Sequence, residues 1–310
     1  MTRTLPGLAL AAVLAVGGAS IHEQEELAPT APAPAPGPAW TLDPGALPPE
    51  VAEAARASRA LPVGDRMGAV SAPFVGRSYQ DGCTGEGEGY DPDPPARYDV
   101  FDCLTFLEEV LALALAPDPA WVGWYRRHLR YRDGVSSYEA RRHFFEAEWV
   151  PENIANGFLV DITESLGEAT WVDREVSLRS WQHWRRRPLF ALPDARLPVG
   201  RLRIPVLPLD QALAAVERIP TGAIIVTVRI PVAHLPIMVT HVGFTVPAAV
   251  PTMRHATHMS SQRVRDDRLS WYFTHLKEYV RWPVAGVNVL MPREQGPRLG
   301  ALAGSAPGGP

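Results

Sequence analysis

Leu104, Leu107, Leu111 and Leu115 recur at helical spacing in the run LTFLEEVLALAL, and a helix this apolar has to pack against something. The candidate partner lies in the second half of the chain. There the runs from Gly222 to Ile230, Ile237 to Val246 and Gly286 to Met291 are rich in Val and Ile and read as strands of one sheet. A strong helix followed by clustered strands predicts an α+β fold with the helix on the sheet. The segment between them reads as a long helical middle. With 310 residues, 46% of them hydrophobic, the chain can bury a sizeable core without disulfides.

The two ends read differently from this unit. Arg3, the apolar stretch Leu8 to Val16 and the small residues Gly17 to Ser20 follow the order of a secretory signal, so residues 1–20 are expected to be a signal peptide. An uncleaved anchor is the alternative, but the apolar stretch falls short of the ~20 residues a spanning helix needs. No cysteine follows that stretch closely, so lipid attachment there has no acceptor. The Pro/Ala-alternating tract APTAPAPAPGPAW makes residues 21–47 a linker, and Gly, Pro and Ala dominate a disordered tail at 294–310. One domain, residues 48–293, is expected between them. Its export implies a periplasmic or secreted protein, with no membrane span once the signal is removed.

A formal charge of -4 gives no basic field for nucleic acid, which is excluded as a partner. Only Cys83 and Cys103 occur, too few for a disulfide scaffold or a structural zinc site. Asp102 reads as the N-cap of the leucine-rich helix, which puts Cys103 at the first helical position. The partial positive charge at a helix start favours a thiolate, whereas the neighbouring Asp102 opposes one, so a histidine must complete any activation. A lone cysteine is otherwise a small buried hydrophobe.

In the strand-like run IMVTHVGFTV, alternation puts Val239, His241, Gly243 and Thr245 on one face. Gly243 leaves room beside the His241 imidazole for a thiol or a substrate carbonyl. A core histidine bonded to a backbone carbonyl is the alternative. The next short strand, TMRHATHMS, would bring His255 beside His241 if the two run antiparallel. His255 is thus the candidate to orient a His241 base, with His258 as rival on the opposite face.

The blocks FDCLTFLEEVLALAL, RYRDGVSSYEARRHFFEAEWVPEN, TGAIIVTVRIP, THVGF and RHATH, in that order, resemble the N-acetylmuramoyl-L-alanine amidase-like branch of the NlpC/p60 superfamily. The resemblance covers roughly Ser58 to Arg293 and is to the unpermuted members. It implies an α+β papain-like NlpC/p60 fold, with a catalytic helix on an antiparallel sheet and helical insertions. It also implies Cys103 as nucleophile, His241 as base and His255 as orienting partner, acting on peptidoglycan or muropeptides without metal or cofactor. Peptidase members of the superfamily follow their Asp-Cys pair with a serine that helps bind a peptide amine. Here Leu104 stands instead, which favours cleavage between N-acetylmuramic acid and L-alanine over D-glutamyl endopeptidase activity. Tyr98 falls where the superfamily often has a tyrosine near the oxyanion or amine subsite, and Asp102 faces either substrate or its own helix.

The expected reaction is acyl transfer from the lactyl carbonyl through a Cys103 thioester, with a backbone N–H at the helix start holding the oxyanion. Arg142 and His143 are further candidate contacts to sugar or carboxylate groups. Trp171, Trp181 and Trp184 read as core, and Arg185 to Arg187 as a solvated face. Cys83 is expected to stay mostly free. Two other classes stand beside this one. A zinc hydrolase on His241, His255 and His258 is opposed by strand geometry and by the lack of an H-E-x-x-H helix. A wall-binding module that has lost catalysis would keep the same groove.

Overall fold

The computed structural model describes residues 47–233, 235–259 and 261–295. The expected signal peptide and nearly all of the linker and tail lie outside the described residues. In chain order the elements that frame the site begin with helices α1 (Pro49–Ala57) and α2 (Val63–Ser71) and strands β1 (Ser78–Tyr79) and β2 (Val100–Phe101). Helices α3 (Cys103–Leu115), α4 (Val122–Arg130) and α5 (Val150–Ala155) follow, then β3 (Leu159–Asp161), α6 (Thr163–Leu166), β4 (Thr170–Val176) and α7 (Leu178–His183). The chain continues through β5 (Gly200–Val206), α8 (Leu209–Ala215), β6 (Ile224–Arg229), β7 (Val239–Val246) and β8 (Thr252–Thr257). It closes with β9 (Arg263–Arg268), α9 (Leu269–Leu276) and β10 (Val284–Pro292).

This is a mixed α+β fold. Eight strands form one sheet in the order β2-β1-β9-β8-β7-β6-β10-β3, antiparallel except for the β1–β2 pair. Alternation along β6 and β7 divides the core. Ile224, Val226, Val242 and Phe244 face α3, where Phe106 meets Phe244 at 5.4 Å between ring centroids. Ile225, Met253, Val287 and Val289 face α8 and α9 on the other side. Every residue of α3 is buried, including Glu108 and Glu109, and each of these carboxylates is matched by a buried arginine of α4, Arg130 and Arg126, at 2.6 Å. Unpaired, either acid would make so enclosed a helix untenable.

The middle of the chain is less helical than the sequence reading expects, its helices short and broken by turns and a hairpin. RRHFFEAEW forms a single π turn over Phe145–Trp149 leading into α5, and beyond it β4 and β5 make a separate two-stranded hairpin. In TWVDREV the signal is period two: Val172, Arg174 and Val176 are buried while Trp171, Asp173 and Glu175 are exposed. Trp181 and Trp184 join Phe144 and Phe190 in a third apolar cluster, whereas Trp171 lies on the surface under the Arg203 guanidinium, 4.5 Å from its ring. The folded unit also extends past Arg293. Glu294 accepts the Val63 N–H at 2.7 Å and pairs with Arg66, and Gln295 is buried.

Candidate active site

The start of α3 is built as a cap, and the cap decides what the cysteine can do. Oδ1 of Asp102 accepts the N–H groups of Leu104 and Thr105 at 3.0 and 2.7 Å, and Thr105 Oγ1 accepts the Asp102 N–H at 3.0 Å. Oδ2 accepts Gly82 N–H at 3.2 Å, and the Asp102 carbonyl takes Phe106 N–H. Asp102 is therefore a cap rather than a substrate contact, its carboxyl group pushed up to about 6 by burial. The cap uses the next three amides, and the Cys103 N–H sits beside its own sulfur, where an oxyanion formed by attack of that sulfur would develop.

Strand β7 comes to the helix tip because its partner leaves. β7 pairs with β8 only at Phe244, Thr245 and Val246, while β8 stays paired with β9 as far as Thr257. In the gap, the Val242 backbone is close enough to the Cys103 sulfur to favour its thiolate. His241, the preceding residue, is half-buried. Its Nε2 lies 2.7 Å from Nδ1 of His255, and Nε2 of His255 lies 3.0 Å from Oδ2 of Asp267 on β9. Arg265 bonds the other oxygen of Asp267. Gly243 makes this possible in a way different from the one expected. A Cβ there would come within 2.3 Å of Met253 and 2.8 Å of His255, so the space it frees is filled by β8, not by a thiol or a carbonyl.

The hydrogen-bond order fixes the tautomers when both rings are neutral. An ionised carboxylate only accepts, so His255 carries its proton on Nε2 and offers the Nδ1 lone pair. His241 then carries its proton on Nε2, which leaves Nδ1 as its basic atom. Burial, with repulsion from His255, His258 and Arg229, holds His241 well below its ordinary 6.5. Burial and then Asp102 raise the Cys103 thiol well above its ordinary 9.0, outweighing the backbone of Val242 and of Cys103 itself. Both shifts favour a neutral thiol and a neutral imidazole, so any attack by this sulfur would have to shed its proton as it proceeds. Asp267 remains low: burial raises it, but bonds from His255 and Arg265 outweigh that.

Other side chains wall this centre. Tyr272 of α9 bonds Thr227 at 2.7 Å and sets its ring 5.7 Å from that of His255. Tyr79 donates to Asp81 at 2.7 Å; burial raises its pKa, and the nearby Cys103, Asp102 and Asp81 raise it further. His258 packs on Tyr79, ring centroids 5.7 Å apart, and it is His255 that takes the bond to His241. Cys83 and Cys103 are both free and buried, with the Cys83 thiol 3.4 Å from Thr105 and pushed up to about 12 by burial and Asp102.

Three expected contacts are used elsewhere. The Tyr98 hydroxyl lies 3.0 Å from Glu109 and 2.9 Å from Arg126, so it completes the buried ion pair of α3 and α4 instead of a subsite. Arg142, 2% exposed, pairs with Glu152 and bonds the carbonyls of His128 and Leu129. His143 is fully buried, Nε2 2.6 Å from the Tyr138 carbonyl, its pKa lowered to about 3 by burial and Arg141. Conversely, Asp267 is not among the residues expected from the sequence; it sits in RVRDDR, where Val264 is the one apolar residue among five charged ones. The available signal is period two, which sets Arg263, Arg265 and Asp267 on one face.

A family model described as N-acetylmuramoyl-L-alanine amidase-like matches residues 69–278, a span that contains Cys103, His241, His255 and Asp267. No curated protein matches the chain. Among solved structures, a Legionella pneumophila protein is 23% identical, with 78% of this chain and 93% of that one covered and a TM-score of 0.67. An N-acetylmuramoyl-L-alanine amidase from Bacteroides uniformis is 21% identical, with 75% and 99% covered and a TM-score of 0.61. A Bacteroides fragilis protein provisionally named a xylanase is 22% identical, with 70% and 97% covered and a TM-score of 0.56. Likeness at these identities speaks for a shared fold.

Proposed function

This chain belongs to the N-acetylmuramoyl-L-alanine amidase-like family, and from that premise we propose that it is an exported cysteine amidase of the papain-like NlpC/p60 type. Its substrate is peptidoglycan or a muropeptide, and the bond cut joins the lactyl group of N-acetylmuramic acid to L-alanine. The observation that supports this reading is the ordered chain Asp267, His255, His241, which leaves Nδ1 of His241 as the basic atom one residue from Val242, whose backbone acts on the Cys103 sulfur.

In the proposed reaction the Cys103 sulfur attacks the lactyl carbonyl carbon while its proton passes to Nδ1 of His241. The Cys103 N–H bonds the oxyanion. His241 returns the proton to the departing nitrogen of L-alanine, the C–N bond breaks, and a thioester remains. Water, deprotonated by His241, then attacks the thioester, the C–S bond breaks, and the carboxylic acid leaves as the thiol reforms.

A glycosidase would need two carboxylates flanking the bond. Among the described residues the acids that act on Cys103 are Asp102 and Asp81, of which Asp102 caps α3 and Asp81 accepts the Tyr79 hydroxyl. Mass spectrometry of muropeptide digests tests the proposal. The expected products are glycan lacking peptide and an intact stem peptide beginning with L-alanine, both absent with Cys103→Ala. Release of an L-alanyl-glutamyl dipeptide would instead identify an endopeptidase, and undiminished ligand binding without any turnover would identify a binding module.

A further inference from the structure

We propose that Asp267, clamped by Arg265, is a positioning residue that sets the proton arrangement of the catalytic histidines. The inference rests on the reading of Cys103 and His241 as nucleophile and base. Asp267 lies on β9, whose residue Arg265 pairs directly with His255. Its side chain is 8% exposed, and both oxygens are used, one on His255 Nε2 at 3.0 Å and one on Arg265. Arg265, partly exposed, carries this link outward to Trp271, its guanidinium 5.9 Å from the indole. The chain of bonds thus runs from the half-buried His241 through a buried ring and a buried carboxylate to the surface.

Each link removes one alternative. Were His241 to carry its proton on Nδ1, two ring lone pairs would face each other across 2.7 Å. His255 could relieve that conflict only by moving its own proton to Nδ1, which would then set a second lone pair against the Asp267 carboxylate. An acceptor fixed at Asp267 therefore decides which nitrogen of His241 is basic, two rings away. It also sets a negative charge behind His241 when that ring takes the sulfur's proton, in a site where Arg229 already opposes a second cation. Asp267 accepts hydrogen bonds throughout and takes no proton itself, so the roles divide as in other triads with an orienting acid. Without Arg265 the carboxylate would be free to turn away from His255.

Asp267→Asn keeps the volume and can present an N–H in place of an oxygen. Its kcat is expected to fall about 10- to 100-fold, with KM within about twofold, as for other groups that orient a reactive imidazole. In 15N-histidine-labelled protein, His241 should be Nε2-protonated in the wild type and shift towards the Nδ1-protonated form in Asp267→Asn. Arg265→Gln should move both readouts in the same direction by a smaller amount, and it decides the matter if Asp267→Asn does not fold. A kcat within about twofold of wild type together with an unchanged His241 tautomer would reduce Asp267 to an ordinary sheet ion pair. Turnover retained by Cys103→Ala would instead sink the underlying reading. An inactive Cys103→Ala beside an unaffected Asp267→Asn would sink this inference alone.

Discussion

His241 and His255 set their ring planes at 77°, with centroids 4.9 Å apart, and share a hydrogen bond of 2.7 Å between Nε2 of His241 and Nδ1 of His255. The contact joins two strands exactly where their backbone ladder has ended, so side chains alone hold β7 and β8 together there.

Removing the His255 acceptor should therefore loosen His241 more than it loosens the fold. His255→Ala is expected to lower kcat about 100- to 1000-fold with little change in KM, while His255→Gln, which restores an acceptor, should lose less. Steady-state kinetics on a soluble muropeptide checks both. Equal losses in the two variants would show that the acceptor is not what matters.

Gly243→Ala probes the same contact from the backbone. Its methyl group would sit 2.3 Å from Met253 and 2.8 Å from His255, forcing β8 away from β7. Overpacking of this kind costs about 1–3 kcal/mol, measurable by urea denaturation, and kcat should fall with it because the two rings part. A variant that loses stability but keeps full activity would show that the ring contact is dispensable.

Acid sensitivity follows from the depressed pKa of His241. The base must be neutral, and burial aided by His255, His258 and Arg229 keeps it so well below pH 6.5, so the acid limb of kcat/KM should lie below the ordinary histidine range. The sign for stability is the same. Below pH 6.5 the unfolded chain binds a proton at this residue that the folded chain refuses, so the contribution is complete above 6.5 and is lost as pH falls towards the folded value. At the other end, the raised thiol of Cys103 means that alkylation by iodoacetamide should still be accelerating above pH 9.0. An alkylation rate flat across neutral pH would indicate a preformed thiolate and imidazolium.

Tyr98→Phe separates scaffold from subsite. The hydroxyl serves Glu109 and Arg126, so its loss should cost about 1–2 kcal/mol of stability and leave kcat and KM near wild type. A selective rise in KM would return Tyr98 to the substrate.

Much of this arrangement is legible in the sequence because local rules act alone there. The helix begins at Cys103 with Asp102 as its cap, since an acid before an apolar helical run has few better uses. Strands rich in Val and Ile fall within two residues of their expected ends at β6, β7 and β10, and alternation along β7 and β8 puts His241 within reach of His255. The failures come where a partner distant in sequence overrides composition. RVRDDR is a strand because β8 pairs with it, and Asp267 is buried because His255 covers it. Tyr98, near Cys103 in sequence, turns to an ion pair formed by residues 11 and 28 positions on. The middle segment misleads because RRHFFEAEW has helical composition, while the Gly and Pro residues beyond it break the chain into short turns and a hairpin.

The central claim is that the Cys103 sulfur becomes covalently bound to substrate, and acid-quenched single turnover with peptide mapping by mass spectrometry measures it directly. The expected result is a muramoyl acyl group on the peptide containing Cys103, seen transiently in the wild type, and no turnover at all in Cys103→Ala. Full turnover by Cys103→Ala, or an acyl adduct carried by any other residue, would contradict it.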